Sequence, residues 1–159
     1  MAPGKSSAGL LMYRRTPPTG IEVYLAHPGG PFFKNKDDGS WTIPKGEMRE
    51  GEPPLAAALR EFEEETGLRI DPASRLIDLG SVRQKGGKLV QAWAVEGDCP
   101  QGHCLRSNTF QIEWPPRSGK FQDFPEIDRA EFFPLEMARR KINPAQAVFL
   151  DRLIALVTE

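Results

Sequence analysis

The sequence predicts one α/β (α+β) domain, in which short strands surround a strongly helical central segment. The chain has 159 residues, of which 39% are hydrophobic, and this is enough for one compact domain with a real core. Short apolar runs bounded by glycine and proline predict strands, whereas apolar residues recur at helical spacing from Leu55 and again over residues 144–157. The sequence has no internal repeat, low-complexity tract or linker. We therefore expect residues 1–159 to form a single domain.

The predicted strands form two hairpins and two further segments. Glycine and proline mark the turn of the first hairpin, and Lys85-Gly86-Gly87 marks the turn of the second. The first hairpin comprises residues 7–13 and 21–27, and the second comprises residues 76–84 and 88–96. Later strands are predicted at residues 109–114 and 130–134, with an irregular basic loop at residues 115–120 after the first of them.

Three helices are predicted. The central one follows Pro53 and Pro54, which fit the first helical positions because a missing N–H is harmless there, and Gly67 supplies its stop. Leu55, Leu59 and Phe62 fall within roughly 60° of one another and form an apolar stripe. The other two helices cover residues 135–141 and 144–157, the second starting at Asn143-Pro144.

Three carboxylates lie on the polar side of the central helix. Glu61, Glu64 and Glu65 occupy an arc of about 100°. Like charges at such spacings cost a few tenths of a kcal/mol per pair unless a cation lies among them. Hard oxygen ligands on one face suit Mg²⁺ or Mn²⁺. The alternative is a solvated acidic helix face.

A motif over residues 46–68 favours the metal site. Gly46, five residues, Glu52, seven residues, and then Arg60-Glu61-Phe62-Glu63-Glu64-Glu65-Thr66-Gly67-Leu68 resembles the Nudix box. That box is G-x5-E-x7-R-E-U-x-E-E-x-G-U, where U is a bulky apolar residue, and every defined position is filled. A motif of this length with fixed spacing is a specific signal.

The resemblance implies a fold and an activity. The fold would be a Nudix-type α/β/α sandwich with a central mixed β-sheet and a loop-helix-loop catalytic box. The activity would be that of a metal-dependent pyrophosphohydrolase that cleaves a nucleoside polyphosphate by attack of water on phosphorus, with Mg²⁺ or Mn²⁺ as cofactor.

Roles for the box residues follow from the matching positions. Glu64 and Glu65 would be the principal metal ligands, and Glu61 would either bind the metal or act as base. Glu52 would support the metal or its waters, and the Gly46 carbonyl would contribute. Arg60 would orient the box carboxylates.

A further carboxylate outside the box commonly joins such a site. Glu126 is our first candidate, because residues 126–132 resemble the stretch before the last strand in MutT-type and diadenosine polyphosphate-hydrolysing relatives. The alternative for Glu126 is an exposed loop residue. Glu113 is the reserve candidate.

Substrate contacts are predicted from cations and aromatic residues near the box. The sequence from Trp41 to Gly46 resembles the W-x-x-P-K-G segment of diadenosine polyphosphate hydrolases. Trp41 could stack a base, as could Phe32, Phe33 and Phe124, although core packing is the alternative for each. Candidate phosphate contacts, each of which could equally be a solvated surface cation, are Lys45, Arg83, Lys85 and Arg117.

The leading substrate class is a nucleoside triphosphate or a dinucleoside polyphosphate, and an RNA 5′ end is the second candidate. A non-catalytic nucleotide-sensing domain is the alternative from another class, and the intact box argues against it. The formal net charge of −1 offers no overall attraction to nucleic acid or anionic membrane, so we expect no DNA binding. The apolar stretches are too short for a membrane span, and the first residues lack the apolar region of a signal peptide, so a cytoplasmic location is expected.

Cys99 and Cys104 flank His103, but a metal site would need a fourth ligand, and His27 is distant in sequence. In a reducing compartment we expect free thiols in a surface loop rather than a disulfide.

Overall fold

The computed structural model describes residues 6–17, 20–71, 73–84, 86–100 and 105–157. The strands in these ranges are β1 (Ser6–Thr16), β2 (Gly20–Pro28), β3 (Lys45–Glu47), β4 (Leu76–Arg83), β5 (Leu89–Glu96), β6 (Thr109–Glu113), β7 (Phe121–Pro125) and β8 (Ile127–Pro134). The helices are α1 (Pro54–Thr66), α2 (Leu135–Lys141) and α3 (Ala147–Val157), and a 3₁₀ turn at Pro144–Gln146 precedes α3.

Six strands form a mixed sheet in the order β4-β5-β1-β2-β8, with β3 paired to β1 beside this path. Strands β1 and β5 run parallel, whereas the other pairs are antiparallel. Strands β6 and β7 form a separate two-stranded hairpin. No helix in the described ranges is long and apolar enough to cross a membrane.

Strand β1 is buried on both faces, which shows how the layers are arranged. Leu10 and Met12 pack with Phe62 of α1, whereas Leu11 faces the other side and packs with Phe149 of α3. Successive strand residues point to opposite faces, so a strand covered on both sides is apolar at consecutive positions. The predicted α/β/α sandwich with a central mixed sheet is confirmed.

The structure differs from the predicted elements mainly around the β6–β7 hairpin. Strand β7 was not predicted, the predicted basic loop is the turn of this hairpin, and β8 begins at Ile127 rather than at residue 130. Strand β7 is exposed at four of its five residues, so it lacks the apolar alternation that marks a half-buried strand. The predicted C-terminal helix is present, but its first three residues form the 3₁₀ turn.

Candidate active site

The position of α1 is fixed by its apolar face and its ends. Ala57, Ala58 and Phe62 are fully buried against the sheet. Gly67 ends the helix in the left-handed conformation, with a φ of 78°, and donates its N–H to the carbonyl of Glu63 at 2.8 Å. Glycine adopts this conformation without steric cost. The carboxylates of the opposite face are therefore held on a rigid element.

Arg60 brings two of these carboxylates together with Glu52, which precedes the helix. Its Nε and Nη2 donate to the two oxygens of Glu52 at 2.8 and 2.9 Å, which makes a bidentate pair. Its Nη1 donates to Glu61 Oε1 at 2.7 Å and to Glu64 Oε2 at 3.0 Å, and Nη2 also reaches the Glu47 carbonyl at 3.2 Å. The hydrogen bonds from Arg60 lower the pKa of Glu52 to about 2. The planar, permanently charged guanidinium thus holds the box carboxylates in one cluster.

Glu65 points inward from the same helix and is only 8% exposed. Its Oε2 accepts a hydrogen bond from the Lys45 backbone N–H at 3.2 Å. Burial, followed by the negative charges of Glu126 and Glu61, raises the pKa of Glu65 to about 8. A buried carboxylate among like charges is costly unless a cation joins it.

Gly46 lies in β3, opposite Ala8 of β1, and the Glu61 carboxyl group rests directly against its Cα. A Cβ at this position would overlap the carboxyl carbon and both oxygens of Glu61. The glycine therefore permits the close approach of the Glu61 carboxyl to β3, which gives a steric reason for the first position of the box.

Glu126 lies between β7 and β8, and both of its backbone polar groups are bonded. Its N–H donates to the Asn108 carbonyl at 2.8 Å, and its carbonyl accepts from the Gly29 N–H at 2.9 Å. Burial and the charges of Glu61 and Glu64 raise its pKa. The fold thus brings its carboxyl group within electrostatic reach of the box.

The buried ring of His27 connects two segments near Glu126 through hydrogen bonds. Its Nδ1 lies 2.7 Å from Asp128 Oδ1, and its Nε2 lies 2.6 Å from the Lys36 carbonyl. The side chain is fully buried and therefore joins the loop after β2 to the start of β8. The sequence indicated only that His27 is too distant to complete a metal site with Cys99, His103 and Cys104, and it did not predict this structural role.

Glu113, the reserve candidate, lies at the far end of β6. Its Oε1 accepts a hydrogen bond from the Arg117 backbone N–H at 2.8 Å, within the turn of the hairpin. Thr109 pairs with Pro125 at the end next to Glu126, whereas Glu113 pairs with Phe121. Four residues of strand span about 13 Å, so Glu113 and Glu126 lie at opposite ends of the hairpin.

Of the predicted phosphate contacts that the structure describes, Lys45 lies beside the box carboxylates. Burial and the nearby charge of Lys88 lower its pKa, while Glu65, Glu47 and Glu61 act in the opposite direction. Arg83 donates to the Gly87 carbonyl at 2.9 Å in the β4–β5 turn. Arg117 has a positive φ of 62° in the β6–β7 turn. Lys85 lies outside the described residues.

The aromatic candidates occupy different environments. Trp41 is 1% exposed, packs edge-on against Phe133 at 4.9 Å, and donates from Nε1 to Asp37 Oδ1 at 2.8 Å. A base cannot stack on this ring without opening the core, so we assign Trp41 a packing role in place of the predicted base contact. Phe32 is 56% exposed and meets Trp114 edge-on at 5.6 Å. Phe33 and Phe124 are half-buried.

Two residues near the site were not predicted from sequence. Asn108 Nδ2 lies 3.5 Å from Glu64 Oε2, and Lys88 contributes to the electrostatic environment of Lys45. Neither belongs to a motif, and both reach the site only through strand pairing.

Cys99 is a free, half-buried thiol. His103 and Cys104 lie outside the described residues.

The donor set suits a hard divalent cation, because the box offers only carboxylate and carbonyl oxygens. As the side chains are oriented, no three His, Cys, Asp or Glu residues of the described ranges are grouped so that they could hold a metal ion. Glu52, Glu61 and Glu64 turn towards Arg60 instead. Metal binding would therefore require these side chains to reorient around the buried Glu65.

Comparison with known proteins agrees with the motif and the fold. The family model described as NUDIX domain matches residues 5–153. An RNA pyrophosphohydrolase from Agrobacterium fabrum (strain C58 / ATCC 33970) is 30% identical over 137 residues, which are 74% of this chain and 73% of the relative.

Solved structures show the same fold. A Caenorhabditis (C.) elegans Ap4A hydrolase in a binary complex superposes with a TM-score of 0.68 at 22% identity, covering 96% of this chain and 98% of that one. The NUDIX domain of Shewanella oneidensis NrtR, in complex with ADP ribose, superposes with a TM-score of 0.67 at 13% identity, covering 99% of this chain and 90% of that one. The filled box, the sandwich around it and the family model together show that the chain belongs to the NUDIX family.

Proposed function

We propose that this Nudix hydrolase is a metal-dependent pyrophosphohydrolase that cleaves a nucleoside triphosphate or a dinucleoside polyphosphate. The observation that supports this most directly is the cluster of Glu52, Glu61 and Glu64 around Arg60, next to the buried Glu65. Three carboxylates share the single guanidinium of Arg60, and such a concentration of like charge favours the binding of a further cation. A bound cation would in turn attract a small polyanionic substrate in the cytoplasm.

Each box residue has a role in this proposal. Glu64 and Glu65 bind Mg²⁺ or Mn²⁺, with the Gly46 carbonyl and Glu61 as further ligands and Glu52 in support. When bound, the cation neutralises polyphosphate charge and makes a water molecule more acidic. Arg60 keeps the carboxylates oriented, and Lys45, next to Glu65, offers a cation to the phosphates. Glu126 accepts a proton from the attacking water or positions that water.

An RNA 5′ end is the second candidate substrate. It is favoured by the 30% identity to proteins named RNA pyrophosphohydrolase in Agrobacterium fabrum and in Rhizobium meliloti (strain 1021). Both substrates present the same phosphoric anhydride to the box, so one active site would serve either. A purely nucleotide-sensing role is disfavoured by the complete set of box carboxylates.

A panel of substrates tests the proposal. Nucleoside triphosphates, dinucleoside polyphosphates and a 5′-triphosphorylated RNA oligonucleotide are incubated with Mg²⁺ or Mn²⁺, and released phosphate and pyrophosphate are measured. We expect turnover of at least one class at millimolar metal and none in excess EDTA, because the oxygen donors suit hard cations. Undiminished turnover in EDTA, or nucleotide binding without any turnover, would contradict the proposal.

The role of Glu126 is tested by a pair of variants. Glu126→Gln should lower kcat by about 100-fold or more, because general acid–base catalysis typically contributes about 10²–10⁴-fold, and it should change KM by less than about threefold. Glu113→Gln should leave both parameters within about twofold, because Glu113 binds the hairpin turn. A large loss of kcat in Glu113→Gln beside an active Glu126→Gln enzyme would reverse this assignment.

A further inference from the structure

A cavity lies between the loop after β2 and the β6–β7 hairpin, outside the carboxylate cluster. Its volume is about 520 Å³, and its lining includes Lys34 and Asn35 from the loop together with Trp114, Gln122, Phe124 and Pro125 from the hairpin. Pockets for small organic ligands are typically about 300–1,000 Å³, mostly apolar with a few polar groups. The cavity thus has the size and the lining of a ligand site.

One face of the hairpin builds the aromatic wall of this cavity. Gln122 and Phe124 share a face of β7 because they are two residues apart. Their partners across the hairpin are Ile112 and Phe110, and the rings of Phe110 and Phe124 lie 6.2 Å apart. Phe121 and Asp123 alternate onto the opposite face, and neither lines the cavity. Substitutions on the two faces can therefore serve as test and control.

Polar groups at the cavity can contact the edge of a bound ring. Gln122 Nε2 donates to the Trp114 carbonyl at 3.2 Å, which fixes the orientation of its amide. Asn35 lines the cavity from the loop wall. Amide side chains offer both a donor and an acceptor, so they suit the edges of heterocyclic bases.

The cavity adjoins the carboxylate cluster through the hairpin itself. Pro125 lines the cavity, and the next residue, Glu126, interacts with Glu61 and Glu64. At the start of the other strand, Asn108 contacts Glu64 and accepts from the Glu126 N–H. From Glu126 to Gln122 the strand spans about 13 Å. A group in the cavity can therefore be covalently connected to a polyphosphate at the box.

We propose that this cavity binds the base of the nucleoside that carries the polyphosphate, with the base stacked on Phe124 and Trp114 and its edge bound by Asn35 and Gln122. This inference rests on the proposed function, since the phosphates must lie at the box. The chemistry is shared by a free nucleotide and by the first nucleotide of an RNA 5′ end.

Binding is measured separately from turnover, so that the two proposals can fail independently. Trp114 lines the cavity, so its fluorescence should be quenched when ATP is added and should respond far less to inorganic triphosphate, which has no base. In the Trp114→Phe variant the quenching should be lost. Quenching by ATP in an enzyme that hydrolyses nothing on the panel would leave the cavity assignment standing and would overturn only the proposed function.

Matched variants on the two hairpin faces test the assignment. Phe124→Ala and Phe124→Leu should each raise the Kd for ATP and the KM by about tenfold, with kcat within about twofold, because aromatic stacking of a base is lost. The leucine variant retains apolar bulk and guards against unfolding. Phe121→Ala, on the opposite face of the same strand, should leave both constants within about twofold. Equal effects of Phe121→Ala and Phe124→Leu would overturn the proposal.

A 5′-triphosphorylated RNA oligonucleotide distinguishes the two sources of the base. If the first base occupies the cavity, Phe124→Leu should weaken the RNA and ATP by similar factors. A loss confined to the RNA would overturn the proposal, because a later nucleotide would then be the group in contact with Phe124.

Discussion

Glu64→Gln and Glu65→Gln should each reduce kcat by about 100-fold or more while the fold is retained. Glutamine keeps the shape of glutamate but removes the charge that binds a cation, and loss of one oriented charge-stabilising group typically costs about 10²–10³ in rate. Glu65 lies buried beside Lys45, and Glu64 lies in the Arg60 cluster, so the two substitutions remove charge at different places in the site. The measurement is kcat at saturating nucleotide and metal, with circular dichroism to verify folding.

Glu63 provides the matched control for these two variants. It is the adjacent residue of α1, it is exposed, and it fills an undefined position of the box. Glu63→Gln removes the same charge from the same helix, so a general electrostatic effect would appear in it too. We expect its kcat within about twofold of the parent enzyme. Near-normal activity of Glu64→Gln or Glu65→Gln would show that the ligand assignment is wrong.

Glu64→Gln and Glu65→Gln should differ in their effect on the Tm. Without metal, Glu65→Gln should raise the Tm, because it removes a carboxylate whose burial and like-charged neighbours disfavour ionisation. Glu64→Gln should change the Tm little, because Glu64 is a partly exposed member of an ion pair with Arg60. Differential scanning fluorimetry in EDTA measures both. A lower Tm for Glu65→Gln would mean that the buried carboxylate is not a source of strain.

The sequence was sufficient for the sheet and its helices wherever burial imposes periodicity. Strands β1 and β2 are long apolar runs, and the stripe of α1 ends at Phe62, which is fully buried. Strand β7 lacked that periodicity because, among the strands of the described ranges, it pairs only with β6, and four of its five residues are exposed. The sequence therefore predicted only the first strand of the hairpin, although the hairpin lines the proposed base cavity.

In the candidate site, too, positions within one element could be predicted from the sequence, whereas contacts between elements could not. Residues within one helix or loop have fixed relative positions, so the box carboxylates and Arg60 could be predicted from spacing. The contacts of Glu126, Asn108 and His27 depend on strands that meet only in the folded chain. For Trp41 the local sequence cannot distinguish a ligand contact from a core position, because an aromatic residue next to a motif can serve as either. Only its 1% exposure decides between the two.

Gly46→Ala should reduce kcat by about 100-fold with little loss of stability. The added methyl group would occupy the space of the Glu61 carboxyl, so that side chain must swing away from both the β3 backbone and Arg60. The Glu61 side chain is only 13% exposed, but the displaced atoms are the far end of a flexible side chain, so the shift costs the fold little. The methyl group would, however, also keep Glu61 away from β3 and the Gly46 carbonyl when the carboxylates reorient around a cation, and small misplacements in a catalytic site can cost about 10²-fold.

Gly39→Ala is the control that distinguishes backbone strain, which lowers stability, from displacement of a site carboxylate, which lowers kcat. Gly39 has a φ of 79°, and a Cβ there would meet only Pro144 Cδ at 4.0 Å. Alanine in this conformation should lower the free energy of unfolding by about 1 kcal/mol and leave kcat unchanged, because the residue lies away from the carboxylates. Gly46→Ala should show the reverse pattern, with a normal Tm and a low kcat. If Gly46→Ala retained its rate, the close approach of Glu61 to β3 would have no part in catalysis, and Glu61 would act from another position.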